Sequence, residues 1–176
     1  MIIEEEILLF IQDNLRFEFL NPIFTFITKL CDLGLIWIIL ALYILIIKKE
    51  KQSGYAMILG MILCVIIVNV ILKNIIMRPR PFDMINELTV LIDKPYDYSF
   101  PSGHTALSFT AAIIYYYYHR NKMGILFLIL AALIAYSRLY LGVHYPSDVL
   151  GGLLVALIIS YITIKIMNKD KMSLMK

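Results

Sequence analysis

Five residues separate Arg138 from His144, and three more separate His144 from Asp148, at the one polar break in a long apolar stretch. An arginine offers a planar fork of N–H donors that matches phosphate oxygens. A neutral imidazole is a nucleophile or a base, and a carboxylate on its far nitrogen fixes one tautomer. Together they are most of what phosphoryl transfer needs. A blander reading stands beside this one, because Pro146 and Asp148 are also ordinary residues for the first turn of a helix.

What these three side chains lack is an acid for the leaving group and a cradle for developing negative charge. Pro101-Ser102-Gly103-His104-Thr105 could supply both, since a small hydroxyl residue and a glycine at a helix start leave N–H groups free beside a positive dipole end. Taken alone, this stretch reads better as a plain helix start capped by Ser102. Lys73 and Arg80, with Arg78 between them, add cations at another helix end, where snorkelling anchors and dipole partners are common.

The elements that must position these groups are membrane helices. The chain has 176 residues, 61% of them hydrophobic and 16% charged, with a mean hydropathy of +0.81. That composition excludes a soluble domain and marks an integral membrane protein. No linker-like tract divides the chain, and no internal repeat is visible. The net charge of +3 is too small to indicate a nucleic-acid partner. Cys31 and Cys64 lack metal or redox spacing and read as buried free thiols.

Residues 1–21 carry Glu4, Glu5, Glu6, Asp13, Arg16 and Glu18, a load no span tolerates. Leu8, Ile11, Leu15 and Phe19 recur at helical spacing, so an amphipathic helix is expected here, lying in the interface or packed on the bundle. Apolar runs at 23–47, 54–72, 102–118, 123–137 and 149–164 are read as five spans, with an irregular acidic connection at 82–100. The expected fold is an all-α membrane bundle of five to six helices, divided into the 1–21 helix, a membrane-embedded domain at 22–168 and a basic tail at 169–176. Tyr115 to Tyr118, beside a basic turn, fit an interfacial aromatic belt.

Lys48, Lys49 and Lys51, then Arg120 and Lys122, then Lys165, Lys169, Lys171 and Lys176 fall on one side of a five-span chain. The positive-inside rule makes that side cytoplasmic. All three polar clusters then face outward across the cell membrane. A charged side chain costs about 2.5–3.5 kcal/mol at a helix centre and less at its ends. Gathering cations, two histidines and a carboxylate on one face therefore needs a cause, and a bound phosphate is the simplest.

Lys73 with six residues before Arg80-Pro81, then Pro101-Ser102-Gly103-His104, then Ser137-Arg138 with His144 and Asp148 resemble the three-part signature of the type-2 phosphatidic acid phosphatase superfamily. The match covers 73–148 directly. A second pair, Arg78-Pro79, precedes the motif pair and leaves two arginines as candidates for phosphate. The short chain is most similar to bacterial membrane members acting on lipid phosphates and diphosphates. The resemblance implies His144 as nucleophile through a phosphohistidine, Asp148 as its orienter and His104 as acid. It implies Lys73, Arg80, Arg138, Ser102 and Gly103 as the phosphate cradle. Three fixed cations would replace a metal, so no cofactor is expected. The expected substrate is a membrane lipid, with undecaprenyl diphosphate leading and phosphatidylglycerophosphate or phosphatidate as alternatives. A non-catalytic phospholipid-binding or transport protein is the reading from another class, and the complete His104, His144 and Asp148 set speaks against it. Oligomeric state is not readable.

Overall fold

The computed structural model describes residues 2–173, and among them the chain forms helices and no strand. In order these are α1 (Ile2–Leu15), α2 (Asn21–Lys29), α3 (Leu35–Leu42), α4 (Lys51–Val65), α5 (Lys73–Ile76), α6 (Pro81–Met84), α7 (Gly103–His119), α8 (Lys122–Tyr140) and α9 (Pro146–Ser173). π-helical turns extend α3 through Tyr43–Ile47 and join α4 to α5 through Ile66–Leu72.

By length and apolarity the stretch Lys51–Met84, α8 and the Pro146–Lys169 part of α9 can cross a membrane, and 33%, 39% and 33% of an apolar 18-residue window in each is buried inside the protein. The apolar remainder is left for lipid, as a small bundle requires. α2 and the 32–47 segment make a fourth span if taken together, bent by 48°. α7, at 17 residues, sits at the centre against α4, α8 and α9. Small side chains permit this: Ala56, Ala111, Ala112 and Ala156 are all fully buried. In a bilayer the gain from such close packing is van der Waals contact, because lipid tails are as apolar as leucine.

Several expectations change. The 23–47 run is broken where Leu33 and Gly34 adopt left-handed φ values of 54° and 72°. The break separates α2 from α3 and leaves the largely exposed Asp32 beside His104. The last two spans are longer than their apolar runs, so Arg138 lies within α8 instead of in the connection after it. The 82–100 connection opens with a helical turn, because Pro81 is pre-set for a first helical position. Tyr115 is no belt residue: it is buried and stacks on His119 with ring centroids 4.2 Å apart. Both cysteines are buried and free, as expected. α9 continues through the segment read as a tail as far as Ser173, and residues 174–176 lie outside the described residues.

α1 packs across the ends of α8 and α9. Leu8 and Ile11 are its buried face. Arg16, just beyond it, donates to the Tyr140 carbonyl at 2.7 Å and to the Thr89 carbonyl at 2.8 Å. Gln12 Oε1 in turn accepts from the Thr89 amide at 2.8 Å.

Candidate active site

At this end of the bundle a cavity of about 600 Å³ is lined by Lys73, Arg80, Gly103, His104, Arg138 and His144, with Asp32 and Asp97 among its further walls. Each lining group arrives from a helix end or a break.

His144 is placed by a tight reversal. α8 ends at Tyr140, and Gly142 takes φ of 77°, a conformation that costs a glycine little. The Gly142 and Val143 amides return to the Leu139 and Arg138 carbonyls at 3.0 and 3.1 Å, satisfying the orphan carbonyls of the helix end. The chain then enters α9 through Pro146. Asp148 Oδ2 accepts the Tyr145 amide at 2.8 Å, closing the first turn as a capping carboxylate does. The same oxygen accepts from the Ser99 hydroxyl and lies 3.4 Å from His144 Nδ1. Asp148 therefore begins the helix and faces the imidazole at once.

Arg80 Nη1 donates to the Val143 carbonyl at 2.7 Å and stands 3.3 Å from His144 Nε2. A guanidinium cannot accept a hydrogen bond, so Nε2 meets it with a lone pair and the ring proton belongs on Nδ1, toward Asp148. Burial, followed by the charges of Arg80, Arg138 and Lys73, pushes the His144 pKa well below its ordinary value. The imidazole is thus a neutral ring whose free nitrogen adjoins the cations.

The π-helical turns before Lys73 re-aim the next residues of the helix, and Lys73 emerges only 4% exposed. Its ammonium pairs with Asp97, whose other oxygen pairs with Arg80. Burial alone would raise the Asp97 carboxyl, but Lys73 and Arg80 pull it down to about 2. Arg138, 3% exposed, donates through Nη1 to Thr28 Oγ1. Its Nε is buried without a partner among the described residues, and a buried donor left unpaired is costly.

The two candidate arginines separate cleanly. Arg80 lines the cavity. Arg78 turns behind it, to Asp148 Oδ1 at 2.7 Å and to Glu4 Oε2 at 2.7 Å. Ser102 also departs from expectation. Its hydroxyl accepts from the Thr105 amide and hydroxyl at 3.4 and 2.9 Å, so it caps α7 and does not line the cavity. Gly103 and His104 do line it, and a Cβ at Gly103 would come within 3.2 Å of Asn69 Oδ1. His104 Nε2 lies 3.2 Å from Asp32 Oδ1.

Neither motif nor spacing singles out Asp97, Asp32, Ser99, Thr28 or Glu4 for the site. Ser99 has one available signal, its place two residues before Pro101. Asp32 has another, as a carboxylate beside a glycine inside an apolar run.

The sequence model of the PAP2 superfamily matches residues 54–172. An undecaprenyl-diphosphatase of Sulfolobus acidocaldarius is 33% identical over 147 residues, 84% of this chain and 70% of that protein. Among solved structures, LpxE of Aquifex aeolicus superposes with a TM-score of 0.75 at 31% identity, covering 89% of this chain and 93% of that one. A PAP2-type phosphatidylglycerolphosphate phosphatase from Bacillus subtilis superposes with a TM-score of 0.73 at 25% identity, covering 94% and 85%.

Proposed function

The chain belongs to the PAP2 superfamily and is a multi-span membrane lipid phosphatase; on that premise we propose that it hydrolyses a lipid diphosphate, with undecaprenyl diphosphate the leading substrate. One observation carries the reading of a membrane-lipid substrate, and the likeness to the undecaprenyl-diphosphatase makes a diphosphate the leading headgroup. The walls of the polar cavity continue, through Leu33, Gly34, Val65 and Leu107, into an apolar groove of about 430 Å³ between α3 and α4. A headgroup fits the first and the hydrocarbon next to it fits the second, so the lipid need not leave the bilayer.

In this reading the terminal phosphate displaces Asp97 and takes its place between Lys73 and Arg80. The unpartnered Nε of Arg138 and the first-turn N–H groups of Gly103 and His104 complete the cradle. Ser102 contributes by holding that turn. His144 Nε2 attacks phosphorus in line, forming a P–N bond as the P–O bond to the lipid breaks. Asp148 holds the Nδ1 proton and balances the positive charge the ring acquires. His104 gives a proton to the departing oxygen. It then takes one from the water that cleaves the phosphohistidine and releases inorganic phosphate. Three fixed cations neutralise the transferring group without a metal.

The five apolar segments, α7 included, are read as five spans within a 22–168 catalytic domain. The lysine-rich end faces the cytoplasm and the cavity opens outward. α1 lies along the outer interface, exposing Ile3, Ile7 and Phe10, and the 169–176 segment is a basic cytoplasmic end. A phosphomonoester lipid is the second reading, favoured by the likeness to the phosphatidylglycerolphosphate phosphatase.

The test is phosphate release in detergent from undecaprenyl diphosphate, phosphatidylglycerophosphate, phosphatidate and an aryl phosphate, with EDTA present and His144→Ala as the blank. Fastest turnover of the diphosphate is expected. A faster monoester would select the second reading, and dependence on added magnesium would remove the metal-free mechanism.

A further inference from the structure

α1 lies outside residues 54–172 that match the superfamily, yet it delivers a carboxylate to the back of the site. Glu4 Oε2 accepts from Arg78 Nη2 at 2.7 Å. Glu4 Oε1 accepts from the Ser147 amide at 3.0 Å and its hydroxyl at 2.6 Å. Arg78 Nη1 donates to Asp148 Oδ1 at 2.7 Å and to Ser147 Oγ at 2.6 Å. The Arg78 guanidinium lies over the Tyr145 ring, 4.0 Å from its centroid. Asp148 thus gives one oxygen to Arg78 and turns the other to His144. Among the described residues Arg78 Nη2 has no hydrogen-bond partner but Glu4.

We propose that Glu4 is a positioning residue for His144, acting through Arg78 and Asp148. The proposal rests on the reading of His144 as nucleophile. Glu4 grips one arm of the Arg78 fork and the first turn of α9 together, so the other arm meets Asp148 Oδ1 and leaves Oδ2 directed at Nδ1. Its charge matters as much as its reach. When His144 bonds to phosphorus its ring becomes cationic, and Asp148 stabilises that charge. Arg78 opposes it, and Glu4 offsets Arg78. The effect grows as the P–N bond forms, so it falls on kcat and spares substrate binding. Hydrogen bonds from Ser147 and Arg78 hold the Glu4 carboxyl below its ordinary pKa, although burial alone would raise it. Leu8, one turn further along α1, is fully buried against Ile85, Leu88 and Tyr145 and fastens the helix as a whole.

The experiment measures phosphate release by the full chain in detergent, in a double-mutant cycle of Glu4→Gln with Asp148→Asn. Glu4→Gln is expected to lower kcat about tenfold and leave KM within about twofold. In the Asp148→Asn background the same change should alter the rate less than about twofold, because the route is already cut. Leu8→Ala, which loosens α1 but keeps the carboxylate, should lower the melting temperature without a comparable loss of kcat, because Glu4 is seated by its own bonds to Ser147 and Arg78. A folded Glu4→Gln enzyme with full kcat overturns the proposal. So does an equal loss in both backgrounds, or a Leu8→Ala variant that reproduces the kcat defect. An active His144→Ala enzyme would instead sink the nucleophile reading and this proposal with it.

Discussion

Arg80 Nη1 stands 3.3 Å from His144 Nε2, and the contact leaves the imidazole a lone pair on its cavity side. Burial and three nearby cations keep that ring neutral well below its ordinary pKa. Lowering a histidine pKa moves its protonation to more acid solution, so the attacking form should persist as pH falls through 6.5. The expected kcat/KM profile shows no acid limb from His144 between about pH 7.5 and 5.5 once the substrate's own ionisation near 6 is measured separately by phosphorus NMR. An acid limb near 6.5 belonging to the enzyme would contradict the assignment. His144→Ala should cost about a thousandfold or more in phosphate release while the protein stays folded.

Asp97 holds both Lys73 and Arg80, where the proposed phosphate must go. Asp97→Asn should therefore tighten inhibition by inorganic phosphate, by roughly two- to fivefold for a partly exposed pair. The same substitution should lower stability at pH 7. The carboxyl is depressed from 3.8 to about 2, so its contribution is present above 3.8 and is lost as pH falls toward 2. The gap in melting temperature between wild type and variant should stay constant from pH 7 to 5 and close below about 4. A variant with unchanged phosphate inhibition would remove Asp97 from the binding step.

The proposed acid is separable by leaving group. Cleaving a lipid diphosphate expels a phosphate oxygen whose own pKa is near 6, whereas a phosphomonoester expels an alkoxide. His104→Asn should thus cost about 10²–10⁴-fold on phosphatidate and about tenfold or less on the diphosphate. Equal losses on both, measured under single-turnover conditions, would deny His104 the proton transfer.

What was legible in the sequence was whatever depended on local spacing. Lys73, Arg80, Gly103, His104, Arg138 and His144 could be read because each marks a helix end or a turn, and all six line one cavity. Asp148 could be read because a carboxylate at the third position of α9 suits both the helix and the imidazole. Pairings between distant segments were not legible. Asp32 reaches His104 where the backbone at Leu33 and Gly34 turns left-handed; a carboxylate and a glycine inside an apolar run can mark such a break but not the partner it brings near. Glu4 meets Arg78 across 74 residues, a contact set by how α1 docks. The choice between Arg78 and Arg80 needed the same tertiary information, since both precede a proline.

Orientation follows from where charge is tolerated. Glu50 and His119, paired at 3.2 Å, belong to the end that carries Lys48, Lys49, Lys51, Arg120 and Lys122, and Asp97 belongs to the other. If basic loops are retained inside, a cysteine at the cavity end should meet an impermeant maleimide in intact cells. Tyr96→Cys suits the purpose because Tyr96 is fully exposed, and Lys122→Cys probes the opposite end. Native Cys31 and Cys64 are buried and should leave a low background. Labelling of Tyr96→Cys before permeabilisation, and of Lys122→Cys only after it, is the expected pattern. The reverse would place the cavity in the cytoplasm and exclude any role on lipid diphosphates released at the outer leaflet.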